Sequence, residues 1–210
     1  MTTEPVAATL SQKLWAANAD WAQRTLAHPF LRGLGDGSLP IDSFRRYVAQ
    51  DAYFLEAFAR AYAHCLAQST ARADLQAFAG LIAGVIDELK LHAGYAERWG
   101  VDLSNVTPGP ATEAYTGFLI ELARMGGIGL TTAAMTPCMR LYAFLGQELA
   151  KAPVAPPYAE WVRAYAAPEF EALAVTLEGL VDWHASDSPA VRNAYRRAME
   201  LEYGFFDANL

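Results

Sequence analysis

Three reactive side chains interrupt apolar helical faces in this 210-residue chain: Asp51, Cys138 and Glu202. Met135, Cys138, Tyr142 and Leu145 recur at three- and four-residue spacings, so one helix face carries thiol and phenol in the same direction. Arg140 lies about 200° round that wheel from Cys138 and points elsewhere. Asp51 stands between Tyr47 and Phe54 in a row that is otherwise apolar, and Glu202 stands among Met199, Phe205 and Phe206, opposite the polar Glu200. A lone cysteine on such a face reads by default as a small core hydrophobe. An inward carboxylate costs on the order of several kcal/mol unless it is paired, so Asp51 has either a structural partner or a functional one. Together, a thiol, two carboxylates and the inward rings of Phe54, Tyr115, Tyr142, Tyr165 and Phe205 suit a flat heteroaromatic ligand better than a peptide or a phosphate.

The elements that must position these groups are all helical, and no alternating strand pattern occurs. A first helix is expected from about Ala8 to Leu26, ending before Pro29, which disfavours the α region for its predecessor. The glycine-rich stretch from Gly33 to Pro40 reads as a turn, and without a preceding strand or a following Lys-Ser/Thr pair it is not a phosphate loop. A long helix follows over about 41–68, then one over about 71–99 whose stripe includes Glu88 and His92, four apart and able to pair. A single Glu-x-x-x-His differs from the paired Glu-x-x-His motifs of a di-iron carboxylate site. Further helices span about 111–125 with Tyr115 and then up to Lys151 with Cys138. A short helix bears Trp161 and Tyr165, and another opens at Pro168. In the last, Ser188 caps and Pro189 takes the first position. Should Thr136 cap and Pro137 open a new helical segment, Cys138 would sit in its first turn, where the dipole lowers a thiol pKa. A kinked continuous helix is the alternative.

Composition narrows the class. Apolar residues make up 53% and charged residues 19%, with a net charge of −7 and only two cysteines, Cys65 and Cys138. The acidic balance and the absence of a basic patch disfavour nucleic acid and anionic membrane as partners. The pairs Arg45-Arg46 and Arg196-Arg197 read as solvated faces. Neither a disulfide framework nor paired-cysteine zinc spacing is present, so no metal or cofactor is expected. No basic and apolar leader follows Met1, and no apolar run is long enough to span a bilayer, which makes a reduced, cytoplasmic protein the expectation. No internal repeat divides residues 1–210, which read as one all-α domain.

Asp36-Gly37-Ser38-Leu39-Pro40 after His28-Pro29-Phe30, then Gln50-Asp51-Ala52-Tyr53-Phe54-Leu55, then Pro137-Cys138-Met139-Arg140-Leu141-Tyr142, and finally Glu202-Tyr203-Gly204-Phe205-Phe206-Asp207 resemble the TenA/thiaminase II family in order and spacing. The resemblance covers essentially the whole chain. It implies a haem-oxygenase-like, TenA-like helical bundle, assembled as a homotetramer. The implied activity is aminopyrimidine aminohydrolase in thiamin salvage, making hydroxymethylpyrimidine from aminomethyl-pyrimidines, and cleavage of thiamin itself. On the same grounds Cys138 matches the nucleophile and Glu202 the acid. Asp51 matches the carboxylate that holds the pyrimidine amino group. Tyr115, Tyr142 and Tyr165 match pocket tyrosines, and Phe205 matches a stacking ring. Two positions depart from the pattern: Phe54 replaces a tyrosine found in some members, and Arg140 a tryptophan. With Cys138 present, the chain resembles the cysteine-containing branch rather than the branch that lacks it.

The residues suit that chemistry. Addition of a thiolate beside the ring's methylene breaks aromaticity and lets the ring expel an amine or thiazolium, dividing one difficult step into two. Burial that raises the Glu202 pKa would let it protonate the ring nitrogen. An ionised Asp51 would accept from the ring's amino group. Two readings compete: a non-catalytic pyrimidine binder or regulator, and an oxidase or haem protein on the related fold.

Overall fold

A computed structural model describes residues 7–210; the reading of the first residues as lacking a leader falls outside them. Ten α-helices account for the regular structure among the described residues, and no strand occurs there. They are α1 (Leu10–Ala17), α2 (Ala19–Leu26), α3 (Pro29–Asp36), α4 (Ile41–Gln68), α5 (Arg72–Trp99), α6 (Pro110–Met125), α7 (Gly127–Leu149), α8 (Ala159–Tyr165), α9 (Pro168–His184) and α10 (Pro189–Ala208). A 3-10 turn, Pro156–Tyr158, leads into α8.

The central element is α7, which packs against α6, α8, α9 and α10 and also reaches α4. Its stretch from Thr131 to Met139 is buried at every position, as a helix enclosed on all sides must be. The hydroxyls this buries are satisfied within the helix: Thr131, Thr132 and Thr136 donate to the carbonyls of Gly127, Ile128 and Thr132. Around α7, α4 pairs with α5 and α6, and α9 and α10 close the other sides. Gly146 lets α8 approach, since a Cβ there would fall 2.5 Å from the Tyr165 carbonyl carbon.

Three expectations about local structure are corrected. The first helix is divided at Asn18, whose Nδ2 donates to the Leu14 carbonyl at 2.8 Å and whose backbone ends α1 and begins α2. Asparagine competes in this way with the helical ladder. The stretch read as a turn from Gly33 is helical to Asp36. His28 caps that helix by accepting from Phe30 N–H at 3.1 Å, Pro29 occupies its first turn, and Gly37 ends it at φ 84°. Pro137 opens no new segment: of the two alternatives the helix is the continuous one, α7 runs through Pro137, and Thr136 bonds back to the preceding turn instead of capping. An internal proline removes one ladder bond, about 3 kcal/mol in an isolated helix. Packing on every side holds this one in place.

Candidate functional site

Five helices bring the sequence-predicted residues to one interior region. α4 supplies Asp51 and Phe54, α6 Tyr115, α7 Cys138 and Tyr142, α8 Tyr165, and α10 Glu202 and Phe205, every one of them buried. Glu202 is 1% exposed, and its Oε1 accepts from the Tyr115 hydroxyl at 2.7 Å. The Cys138 thiol is near enough to this carboxyl for each group to bear on the other's proton affinity. Phe54 packs its ring 4.7 Å from Tyr115 and 6.0 Å from Phe205, while Tyr142 lies 4.8 Å from Tyr165. The phenylalanine at position 54 therefore adds a wall and no hydrogen bond.

Burial dominates the electrostatics. It pushes Glu202 up to about 8, with the charges of Asp51 and Glu88 adding to the rise and the Tyr115 hydrogen bond and the neighbouring Cys138 thiol opposing it. The Cys138 thiol is also pushed well above its ordinary value, first by burial and then by the neighbouring carboxylates Glu202, Glu88 and Asp51. This overturns the expected lowering by a helix N-terminus: Cys138 sits mid-helix, among carboxylates, where no dipole end reaches it.

Four residues with no role in the sequence reading of the site complete it. His92, fully buried, faces Asp51 at 2.7 Å through Nε2, and its Nδ1 meets the Glu88 backbone carbonyl at 3.0 Å. The expected Glu88–His92 pairing is thus through main chain only. The Glu88 carboxyl instead accepts from the Tyr165 hydroxyl, and burial pushes it up to about 7. Trp161 donates to the Tyr47 hydroxyl at 3.2 Å, and Tyr47 donates weakly to Tyr142 at 3.5 Å. Tyr47 shares a helix face with Asp51, which was the available signal. Trp161 and Tyr165 lie one helical turn apart on α8. Outside, a groove of about 250 Å³ between α5, α8 and α9 reaches Glu88, Met139 and Tyr165 and meets the site across the Glu88–Tyr165 bond.

Arg140 lies outside this group, as its direction predicted. It forks onto Glu171 at 2.8 Å and Glu178 at 2.7 Å on α9. Among the described residues no cluster of three His, Cys, Asp or Glu is arranged to hold a metal ion, and no helix is long and apolar enough to cross a membrane.

The same all-helical fold occurs in solved TenA proteins. A TenA family transcription regulator from Silicibacter sp. TM1040 superposes with a TM-score of 0.88 at 26% identity, covering 94% of both chains. The sequence matches the TENA/THI-4/PQQC family over residues 15–210, and the chain belongs to that family. Relatives include the aminopyrimidine aminohydrolase of Halalkalibacterium halodurans, 30% identical over 94% of this chain and 90% of that protein. The aminopyrimidine aminohydrolase of Bacillus subtilis is 31% identical over 74% of this chain and 68% of that protein. The mitochondrial bifunctional TH2 protein of Arabidopsis thaliana is 34% identical over 95% of this chain, which spans only 37% of that longer protein.

Proposed function

We propose that this protein is a thiamin-salvage hydrolase. Its substrate is 4-amino-5-aminomethyl-2-methylpyrimidine, converted to the hydroxymethylpyrimidine and ammonia, with thiamin cleaved by the same route. The observation that carries this reading is the buried Cys138–Glu202–Tyr115 cluster in a chain whose relatives bear the name aminopyrimidine aminohydrolase.

Near neutral pH both partners of the cluster hold a proton, because burial raises the thiol and puts Glu202 at about 8. The attack is therefore concerted with proton movement. As the Cys138 sulfur bonds to the ring carbon beside the aminomethyl group, its proton passes to one oxygen of Glu202, whose other oxygen delivers a proton to the ring nitrogen that receives the electrons. The ring then expels the protonated amine as ammonia with the bonding pair, and water adds to the exocyclic methylene and gives up a proton; as the carbon–sulfur bond breaks, the ring nitrogen returns its proton through Glu202 to the departing sulfur and aromaticity is restored. Asp51 holds the ring's amino group. Tyr142, Tyr165, Phe54 and Phe205 confine the ring, and Tyr115 fixes the Glu202 carboxyl.

The homotetramer is part of the same proposal. Val175 and Trp183 on α9 are 53% and 80% exposed, and Met125 at the end of α6 is 82% exposed, an apolar surface that further copies of the chain would cover.

Incubation of the wild type with the aminomethylpyrimidine and with thiamin tests the reading. Release of hydroxymethylpyrimidine from both, lost in Glu202→Gln, is the expected result. Tight pyrimidine binding without turnover of either would replace the hydrolase with the binder.

A further inference from the structure

His92 is the group the proposed chemistry leaves unused, and its hydrogen bonds fix its protons. A backbone carbonyl only accepts, so the contact from Nδ1 to the Glu88 carbonyl places a proton on Nδ1. A neutral ring would then present a bare Nε2 lone pair to Asp51 Oδ2. Two acceptors do not approach to the 2.7 Å seen there, so one proton lies between His92 and Asp51.

We infer that His92 and Asp51 form an imidazolium–carboxylate pair in which His92 is a positioning residue. It holds Asp51 ionised in the interior and turns its second oxygen, Oδ1, toward the ligand's amino group. The surroundings favour this distribution of the proton. The ring is enclosed by Tyr47 at 6.4 Å and Tyr95 at 5.8 Å between centroids, and the charged groups facing it are Asp51 from α4 and Glu88 from its own helix, both carboxylates. Burial alone would lower the His92 pKa, but the Asp51 bond and the two carboxylate charges outweigh it and the net shift is upward. The pair is neutral overall, which spares the cavity an isolated charge. Asp51 Oδ2 is committed to His92, and no described residue donates to Oδ1. That leaves one ionised oxygen for an exocyclic N–H, a donor that an aminopyrimidine has and its 4-hydroxy counterpart lacks.

The assignment of the ligand rests on the proposed function; the proton distribution does not. The experiment therefore has two arms on the full chain. In the first, ¹⁵N resonances of the His92 ring are recorded between pH 6 and 8. The pair predicts two protonated ring nitrogens throughout, and loss of that pattern in Asp51→Asn. A ring bare at Nε2 near pH 7 in the wild type would overturn the pair. In the second arm, hydroxymethylpyrimidine binding and aminomethylpyrimidine turnover are compared in wild type and His92→Gln, which can offer Asp51 a neutral hydrogen bond. A charge-assisted bond to an orienting group predicts a rise of about tenfold to a hundredfold in Kd and KM, with kcat within about threefold. Unchanged Kd and KM in the variant would overturn the positioning role. Failure of the wild type to bind or turn over any pyrimidine would overturn the ligand assignment and the proposed function together, with the ring resonances still deciding the pair.

Discussion

The two cysteines make the sharpest internal comparison. Cys65 and Cys138 are both buried on long helices, and in both burial raises the thiol, Cys65 to about 12. Cys65 faces the Thr131 hydroxyl, a weak partner that cannot take its proton. Cys138 faces a carboxyl that is itself raised to about 8 and steadied by Tyr115. On the proposed mechanism, reactivity therefore does not come from a pre-formed thiolate at Cys138. On that mechanism it comes from an adjacent group able to move the proton when the substrate arrives, and Cys65 lacks one.

Glu202→Gln should have the largest effect on that difference, lowering kcat by about a hundredfold to ten-thousandfold, the usual contribution of a positioned acid–base group. The same variant has a readable stability effect. The folded pKa of Glu202 is about 8 against an ordinary 4.5, so its contribution is most favourable below pH 4.5 and is lost as pH rises toward 8. The wild type should thus lose stability across that window relative to Glu202→Gln, by roughly 3 kcal/mol at pH 7 at 1.36 kcal/mol per unit. Parallel denaturant melts at pH 5 and pH 8 check the slope. Cys65→Ser should lose about 1–2 kcal/mol for a hydroxyl placed in an apolar site while turnover stays within about threefold. Alkylation against pH sharpens the comparison further: both thiols should titrate above the free value of about 8.5, and an apparent pKa below it at Cys138 would restore the pre-formed thiolate. Trp183→Glu should give the smallest effect on the site, leaving both cysteines as they are while reducing the mass measured by light scattering from that of a tetramer.

Much of this was legible in the sequence where the signals were local. The bounds of α4 follow from its apolar rows, and the start of α10 from Ser188 as cap and Pro189 behind it. The inward direction of Asp51, Cys138 and Glu202 followed from period alone. Elements decided by tertiary packing were not legible. Pro137 continues a helix because neighbours enclose α7, and Gly33 and Gly35 sit inside α3 because His28 and Pro29 start it. The Asp51–His92 bond joins residues 41 apart in the chain, and Tyr165–Glu88 joins residues 77 apart. No periodicity on one helix reveals a partner on another. The thiol's environment was misjudged for the same reason: the carboxylates around it come from α4, α5 and α10.

The most direct test of the account is turnover of the aminomethylpyrimidine by Cys138→Ser and Cys65→Ser side by side. Loss of at least about a thousandfold in kcat for Cys138→Ser, as expected on removing a nucleophile, with Cys65→Ser close to wild type, is the predicted result. Undiminished turnover in Cys138→Ser would contradict it.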